Sequence, residues 1–241
     1  MSLIIKKNTT FKIPRTPFLP SSLGGLALWL KADAGVTLFG GNVTAWADQS
    51  GNGKNATAIQ APLYATNSIN GKPALVFANN AYLTTSNIFN GANPRTMFAV
   101  YYIDSENYSN TVIAQSNEDS TDMGTYFMLQ SRIDQDSSPY LAGYVDDLSG
   151  PPYVNQELLL GMADYDGTTA RLFKNGTLVD SGAKTYETHN GELYIGACNI
   201  NGSVVEFFAG KIAELVVYNR VLTTSERQQV EAYLNSKYQI Y

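Results

Sequence analysis

The sequence predicts an all-β chain, a two-sheet antiparallel sandwich finished by one short helix. Three observations carry this. Aromatic residues make up 12% of the chain, with 16 tyrosines, against only 15% charged residues, and rings suit a pleated, half-buried surface better than a helix. Apolar runs of strand length recur, separated by turn residues drawn from 20 glycines and 9 prolines. No self-similar stretch of roughly 20–50 residues is visible, which argues against solenoids and propellers. At 241 residues the chain suits one large sandwich, long enough to bury roughly 70–75% of its unfolded surface.

The first segment differs in kind from the rest. Residues 1–20 carry Lys6, Lys7, Lys12 and Arg15 and no acid, which leaves 12 basic against 21 acidic residues, a charge of −9, for the remainder. Pro14, Pro17 and Pro20 favour an extended path over a helix. Ile4, Ile5, Phe11, Ile13 and Phe18 are too apolar for a solvated tail. We read residues 1–22 as an extended basic arm, with the sandwich at 23–241. The arm is either a first strand of its own domain or a clasp on a neighbouring subunit of opposite charge; the opposed charge favours the clasp.

Strands are expected at 26–31 (LALWLK), with Trp29 buried, and at 73–77 after an Asn70-Gly71 turn. The run TMFAVYYI at 96–103 is apolar almost throughout, as in a strand buried on both faces. Further strands are expected at 126–130 and 139–145. Asp166-Gly167 and Asn175-Gly176 separate the runs 158–163, 169–174 and 177–180. Such pairs accept the positive φ of tight hairpins, so a meander is predicted. Strands at 193–196, 204–208 and 210–218 follow. Thr223 with Glu226 three residues on forms a capping box, and Val230, Tyr233 and Leu234 recur at helical spacing. A helix over 224–237 is expected to cover a sheet edge or corner.

Three separated motifs then carry a resemblance: GLALWLKAD at 25–33 with WADQSGNG at 46–53 and NGKPALVF at 70–77, the hairpin 166–176, and FAGKIAELVVYNRVL at 208–222 followed by Glu226 and Tyr233-Leu234. In order and spacing they resemble the concanavalin A-like lectin/glucanase superfamily, in its laminin-G-like branch. The resemblance implies a jelly-roll sandwich over 23–241, with Trp29, Trp46, Phe77, Gly210 and Tyr218 as packing and turn positions. It leaves function open, since the family includes sugar-binding modules, glycosidases, adhesion domains and bacteriophage virion proteins, and one sandwich hosts many activities.

The chemistry is bounded by exclusion. A net charge of −5 argues against nucleic acid, which needs a basic face. No apolar run approaches the ~20 residues of a membrane span. The glucanases of this superfamily carry E-x-D-x-x-E on one strand; no such motif occurs here, and the acids at Glu118, Asp119, Asp122, Asp134, Asp136, Asp146 and Asp147 sit in loop-like sequence. His189 is the single histidine and Cys198 the single cysteine, too few for a zinc site; His189 reads as a loop residue and Cys198 as a small buried strand residue. Asp164-x-Asp166-Gly167 reads as a hairpin turn, because the later ligands of a calcium loop are missing. No cofactor is expected; calcium remains an open option at Glu118, Asp119 and Asp122. Tyr140, Tyr144 and Tyr153 are the candidate sugar platform, with a subunit interface as the other reading of the same tyrosines.

The expectation is a non-enzymatic virion structural protein of a bacteriophage, a tail, fibre or capsid-decoration subunit. Its partners would be other virion subunits or copies of itself in a homo-oligomer, joined through the arm, with a host-surface glycan as a further partner. The absence of a disulfide and of an apolar leader in residues 1–12 fits synthesis in the host cytoplasm and location in the virion. The alternatives are a carbohydrate-binding or adhesion module at a bacterial cell surface, and a glycosidase with an atypical carboxylate pair.

Overall fold

In the computed structural model of the protein, the described residues are 17–78, 80–104, 109–116 and 122–241. Nineteen strands run among them in chain order: β1 (Leu26–Lys31), β2 (Val36–Phe39), β3 (Asn42–Trp46), β4 (Ala56–Gln60), β5 (Leu63–Ile69), β6 (Lys72–Phe77), β7 (Tyr82–Thr85), β8 (Arg95–Ile103), β9 (Ser109–Gln115), β10 (Phe127–Arg132), β11 (Ser137–Ala142), β12 (Leu148–Ser149), β13 (Leu158–Tyr165), β14 (Thr169–Lys174), β15 (Thr177–Ala183), β16 (Leu193–Ile195), β17 (Cys198–Ile200), β18 (Ser203–Val205) and β19 (Gly210–Tyr218). One helix, α1 (Thr224–Tyr238), follows. All pairings are antiparallel, as the sequence predicts.

Two sheets face each other. The first runs β15, β14, β13, β8, β19; the far side of β19 then pairs with β6 over 210–212 and with β1 over 214–218. The second runs β2, β3, β4, β7, β16, β9, β10, β11, β12. Between them lies the main core, with Leu28, Trp46, Phe77, Met97, Tyr101, Phe127, Leu129, Leu172, Leu215 and Val217 among its members. Period-two alternation sorts each strand. In β8, Met97, Ala99, Tyr101 and Ile103 enter this core, while Phe98 and Val100 point the other way, under α1. The unbroken apolar run at 96–103 has this cause, since both faces of β8 are covered.

The meander β13–β14–β15 turns at the two expected places. Asn175 and Gly176 both hold positive φ, 50° and 79°, as a tight hairpin requires. Asp166 Oδ1 accepts from the backbone N–H groups of Thr168 and Thr169, so the Asp164–Gly167 motif is a hairpin turn. Trp46, Phe77 and Tyr218 are buried. A Cβ at Gly210 would meet the Tyr102 carbonyl oxygen at 2.1 Å, so this position is a packing constraint.

α1 begins at a complete capping box: Thr223 Oγ1 accepts from Glu226 N, and the Glu226 carboxylate accepts from Thr223 N at 2.9 Å. The helix lies over the outer face of the first sheet, not over an edge or corner. It buries Val230, Leu234 and Tyr238 against Trp29, Phe98, Leu160, Met162 and Val216. A bulge in β19 between Ile212 and Glu214 turns Ala213 and Glu214 both outward toward this face. Glu214 is fully buried there and accepts from Trp29 Nε1 (2.6 Å), Tyr233 Oη (3.0 Å), Tyr238 Oη (2.9 Å) and Lys237 Nζ (2.7 Å). Among the described residues, no helix is long and apolar enough to cross a membrane.

Three further expectations change. The strand expected at 139–145 ends at Ala142, because Tyr144 and Val145 take left-handed backbone conformations. The stretch 204–208 does not join the main sheets; its first residues pair with β17 in a separate two-stranded hairpin. Of the proposed arm, Ile4, Ile5, Lys6, Lys7, Phe11, Lys12, Ile13 and Arg15 lie outside the described residues. Phe18, the remaining member, packs edge-on against Tyr233 of its own α1, and Pro20 O accepts from Tyr218 Oη at 3.0 Å. The last part of the arm therefore belongs to its own domain.

Candidate functional site

The outer face of the second sheet is built differently from that of the first. β10 and β11 turn Met128, Tyr140 and Ala142 outward, with Tyr126 just before β10, beside Ala114, Tyr194 and Cys198. Among the described residues, the β17–β18 hairpin and the 143–147 loop sit on this apolar surface. They leave a pocket of about 320 Å³, lined by Tyr126, Met128, Arg132, Gln135, Tyr140, Ala142, Tyr144, Val145, Asp147, Ile200 and Glu206. Its size lies at the lower end of small-ligand sites, and its character, aromatic with a few convergent polar groups, is typical of them.

Each wall has a local cause. Gly143 lets the 143–147 loop lie flat, since a Cβ there would meet the Tyr186 ring at 2.2 Å. Asp147 then closes the loop, accepting from Gly143 N at 2.8 Å and from Tyr140 Oη at 2.7 Å. Tyr144 stands edge-on to Tyr126, ring centroids 5.2 Å apart. Arg132 lies over the Tyr140 ring, 5.2 Å from its centroid, and grips both Asp134 oxygens through Nε (3.1 Å) and Nη2 (2.7 Å). On the hairpin side, Glu206 accepts from Gln130 Nε2, and Thr111 N donates to the Glu206 carbonyl at 3.1 Å.

Three lining residues, Tyr144, Val145 and Glu206, hold positive φ of 57°, 63° and 53°. For a β-branched residue such as Val145 this is a true outlier, and the side chain is 75% exposed. Backbone strain of this kind concentrates at ligand sites.

Electrostatics keep the tyrosines neutral and the ion pair charged. Burial pushes the Tyr126 hydroxyl up to about 12. Burial, then the hydrogen bond to Asp147, pushes Tyr140 up as well. Both remain phenols at neutral pH. The Arg132 hydrogen bond holds Asp134 below the usual carboxylate range. Cys198, the first residue of β17, is buried and its thiol is pushed well up by desolvation and then by Glu206, so it stays protonated and inert.

Of the residues singled out from sequence, Tyr140 and Tyr144 come together here. Tyr153 does not; it packs against the main core from the other side of the sheet. Glu118 and Asp119 lie outside the described residues, and Asp122 is exposed, its carbonyl accepting from Thr125. Among the described residues, no group of three or more His, Cys, Asp or Glu side chains could hold a metal ion. His189 is an exposed loop residue whose carbonyl accepts from Gln115. Asp146 and Asp147 are not merely solvated loop acids. Asp146 pairs with Lys184 at 3.1 Å, and Asp147 lines the pocket. Met128, Arg132, Gln135, Ile200 and Glu206 escaped the sequence reading; Arg132 and Gln135 carried a faint signal in flanking the acids at 134 and 136.

Two other depressions have structural explanations. In one, Arg171 bridges Asp164 (2.8 Å) and Asp166 (2.7 Å), and Arg227 covers the Phe173 ring at 4.3 Å. In the other, the Lys184–Asp146 pair fills the rim beside a buried Tyr165.

In sequence, residues 77–226 match the family described as the concanavalin A-like lectin/glucanases superfamily, laminin-G type. No curated protein matches the chain. Among solved structures, the chain is similar to domain 4 of an extracellular GH43 arabinanase from Geobacillus stearothermophilus, solved with arabinotriose, at a TM-score of 0.62 and 15% identity, over 83% of this chain and 95% of that one. It is also similar to the sialidase of Trypanosoma rangeli, at 0.63 and 15% identity, over 89% of this chain but only 33% of the sialidase. NanB sialidase from Streptococcus pneumoniae matches at 0.51 and 17% identity, over 64% of this chain and 26% of that one. The chain thus spans about a third or less of either sialidase, and at these identities the likeness is one of fold.

Proposed function

The chain belongs to the concanavalin A-like lectin/glucanase superfamily, and on that premise we propose that it is a non-catalytic glycan-binding module whose ligand sits in the tyrosine-lined pocket of the second sheet. One observation carries the reading. Tyr126, Tyr140 and Tyr144 converge with Arg132, Gln135, Asp147 and Glu206 on a single pocket held open by strained backbone. The apolar faces of a sugar ring pack on aromatic edges and faces, and its hydroxyls need a few fixed acceptors and donors. The arabinanase domain solved with arabinotriose supports the reading, because a domain of this fold and nearly this extent holds a sugar.

Binding without turnover is the simpler chemistry for these side chains. Asp147 and Glu206 come from a loop and a hairpin base, not from one strand, and hydrogen bonds from Tyr140, Gly143 and Gln130 tie both carboxylates in place. The test is a glycan array probed with wild type and Tyr144→Ala, with and without calcium, followed by a reducing-end assay on every glycan bound. Binding lost in the variant, with no new reducing ends, is the expected result. No binding at high protein concentration, or turnover abolished by Asp147→Asn, overturns the proposal.

The assembly reading, a virion subunit clasped through its basic arm, keeps one observation in its favour: four positive charges before a body of −9. Because Phe18 docks on its own helix, such a clasp would involve residues before it. Deleting residues 1–16 and comparing oligomeric state by sedimentation tests this; an unchanged mass removes it.

A further inference from the structure

We infer that the pocket selects uncharged glycans and discriminates against anionic ones such as sialylated or uronic acid-bearing chains. This rests on the sugar-binding reading and goes one step further, to the charge class of the ligand.

Three charged side chains line the pocket: Arg132, Asp147 and Glu206. Two are carboxylates and one is a guanidinium. The cation is already engaged. Its Nε and Nη2 lie 3.1 and 2.7 Å from the two Asp134 oxygens, the side-on fork that an incoming carboxylate would otherwise use. The same bond holds Asp134 ionised, its carboxyl lowered by Arg132. An anionic sugar would therefore have to displace Asp134, or bind beside an already neutralised cation while facing two further carboxylates.

The hydrogen-bond inventory points the same way. Asp147 accepts from Tyr140 and Gly143, and Glu206 Oε2 accepts from Gln130. Ionised carboxylates only accept, so their remaining lone pairs call for donors on the ligand. Arg132 and the Gln135 amide, whose Nε2 also reaches Asp134 at 3.5 Å, are the donor-bearing side chains of the lining. A sugar hydroxyl both donates and accepts and satisfies either kind of group. A ligand carboxylate can only accept, so it offers Asp147 and Glu206 no further donor while adding like charge. The body's surplus of acids, 21 Asp and Glu in the chain against 16 Lys and Arg, adds long-range repulsion of the same sign.

The experiment measures affinities of the full chain, by titration calorimetry, for matched pairs: lactose against sialyllactose, and xylotetraose against its glucuronic acid-substituted form. Asp147→Asn with Glu206→Gln is measured alongside, its fold checked by circular dichroism. The expected result is that the neutral member of whichever pair binds is held at least about tenfold more tightly than the anionic one. The gap narrows as salt rises, because screening weakens the repulsion, and it narrows in the doubly substituted protein. Anionic members bound as tightly as or more tightly than neutral ones would overturn this inference while leaving the sugar-binding reading intact. No binding of either member in any pair, nor of arabinotriose, would overturn both. The salt titration on wild type gives a readout independent of whether the double variant folds.

Discussion

The two outer faces of the sandwich share a plan, a sheet with apolar side chains turned outward, but they are completed in opposite ways. On the first sheet α1 covers the face, and the most deeply buried carboxylate there, Glu214, has donors from Trp29, Tyr233, Lys237 and Tyr238. Burial, then the charge of Glu214, pushes the Tyr233 and Tyr238 hydroxyls up, so both stay protonated as donors. On the second sheet, among the described residues, a short hairpin and a loop cover the face only in part. The backbone is strained at Tyr144, Val145 and Glu206, and a pocket remains. A face whose buried carboxylate is paired and whose apolar side chains pack under a helix contributes stability. A face left open over tyrosines, with carboxylates at its rim, is available to a ligand.

That contrast breaks most visibly at Glu214. Glu214→Ala leaves Trp29 Nε1 and the Tyr233 hydroxyl without the carboxylate they donate to, and leaves Lys237 with Asp33 alone (2.9 Å) and Tyr238 with the Ala213 carbonyl (3.4 Å); removing one partner of a buried pair costs about 3–5 kcal/mol. Chemical denaturation should show a loss of that size, while glycan affinity at a temperature where the variant is folded stays as in wild type. Loss of binding in the folded variant would mean that the two faces are not independent.

On the open face the expected effects reverse. Tyr144→Ala should lower glycan affinity about tenfold, roughly 1.4 kcal/mol, with little change in melting temperature, because the ring is only partly buried. A large drop in melting temperature with affinity retained would make Tyr144 a packing residue instead.

Val145→Asn sharpens the comparison further. Asn tolerates the left-handed region that Val145 occupies at φ 63°, and the strain relieved is worth about 1 kcal/mol. The variant should be more stable than wild type by that amount in urea. Equal or lower stability would show that the loop is not strained.

The smallest effect concerns the start of α1. The Arg220 hydrogen bond, with those from Thr223, holds Glu226 down to about 2 from an ordinary 4.5. A depressed carboxylate stabilises the fold above its unfolded value, and the contribution is lost as pH falls through the folded value. The Tm difference between wild type and Glu226→Gln should therefore be largest above about pH 5 and shrink as pH falls toward about 2. A difference constant over that window would rule out the linkage.

The first face was far more legible in the sequence than the second. Trp29, the unbroken run at 96–103, the turns at Asp166 and Asn175, and the Thr223–Glu226 box all announce themselves locally, because periodicity and turn chemistry are encoded within a few residues. The bonds to Glu214 are not legible, since they join β1, β19 and α1 across long sequence separations and depend on a one-residue bulge. The pocket was half legible. Tyr140 and Tyr144 stand out by residue type, but Glu206 reaches them only because residues 198–206 fold back over the sheet. Tyr153 failed as a candidate because proximity in sequence does not fix which face a loop residue meets. The strands β2, β4 and β9 were missed, since their mixed polar sequences carry little alternation.

The most direct test of the two-face account is backbone NMR of the labelled protein during titration with a neutral oligosaccharide that the glycan array identifies. The account predicts amide shifts confined to residues 126–147 and 198–206, with those of α1 unmoved. Shifts concentrated on α1 and β19, or none near Tyr140 and Glu206 at saturating ligand, would contradict it.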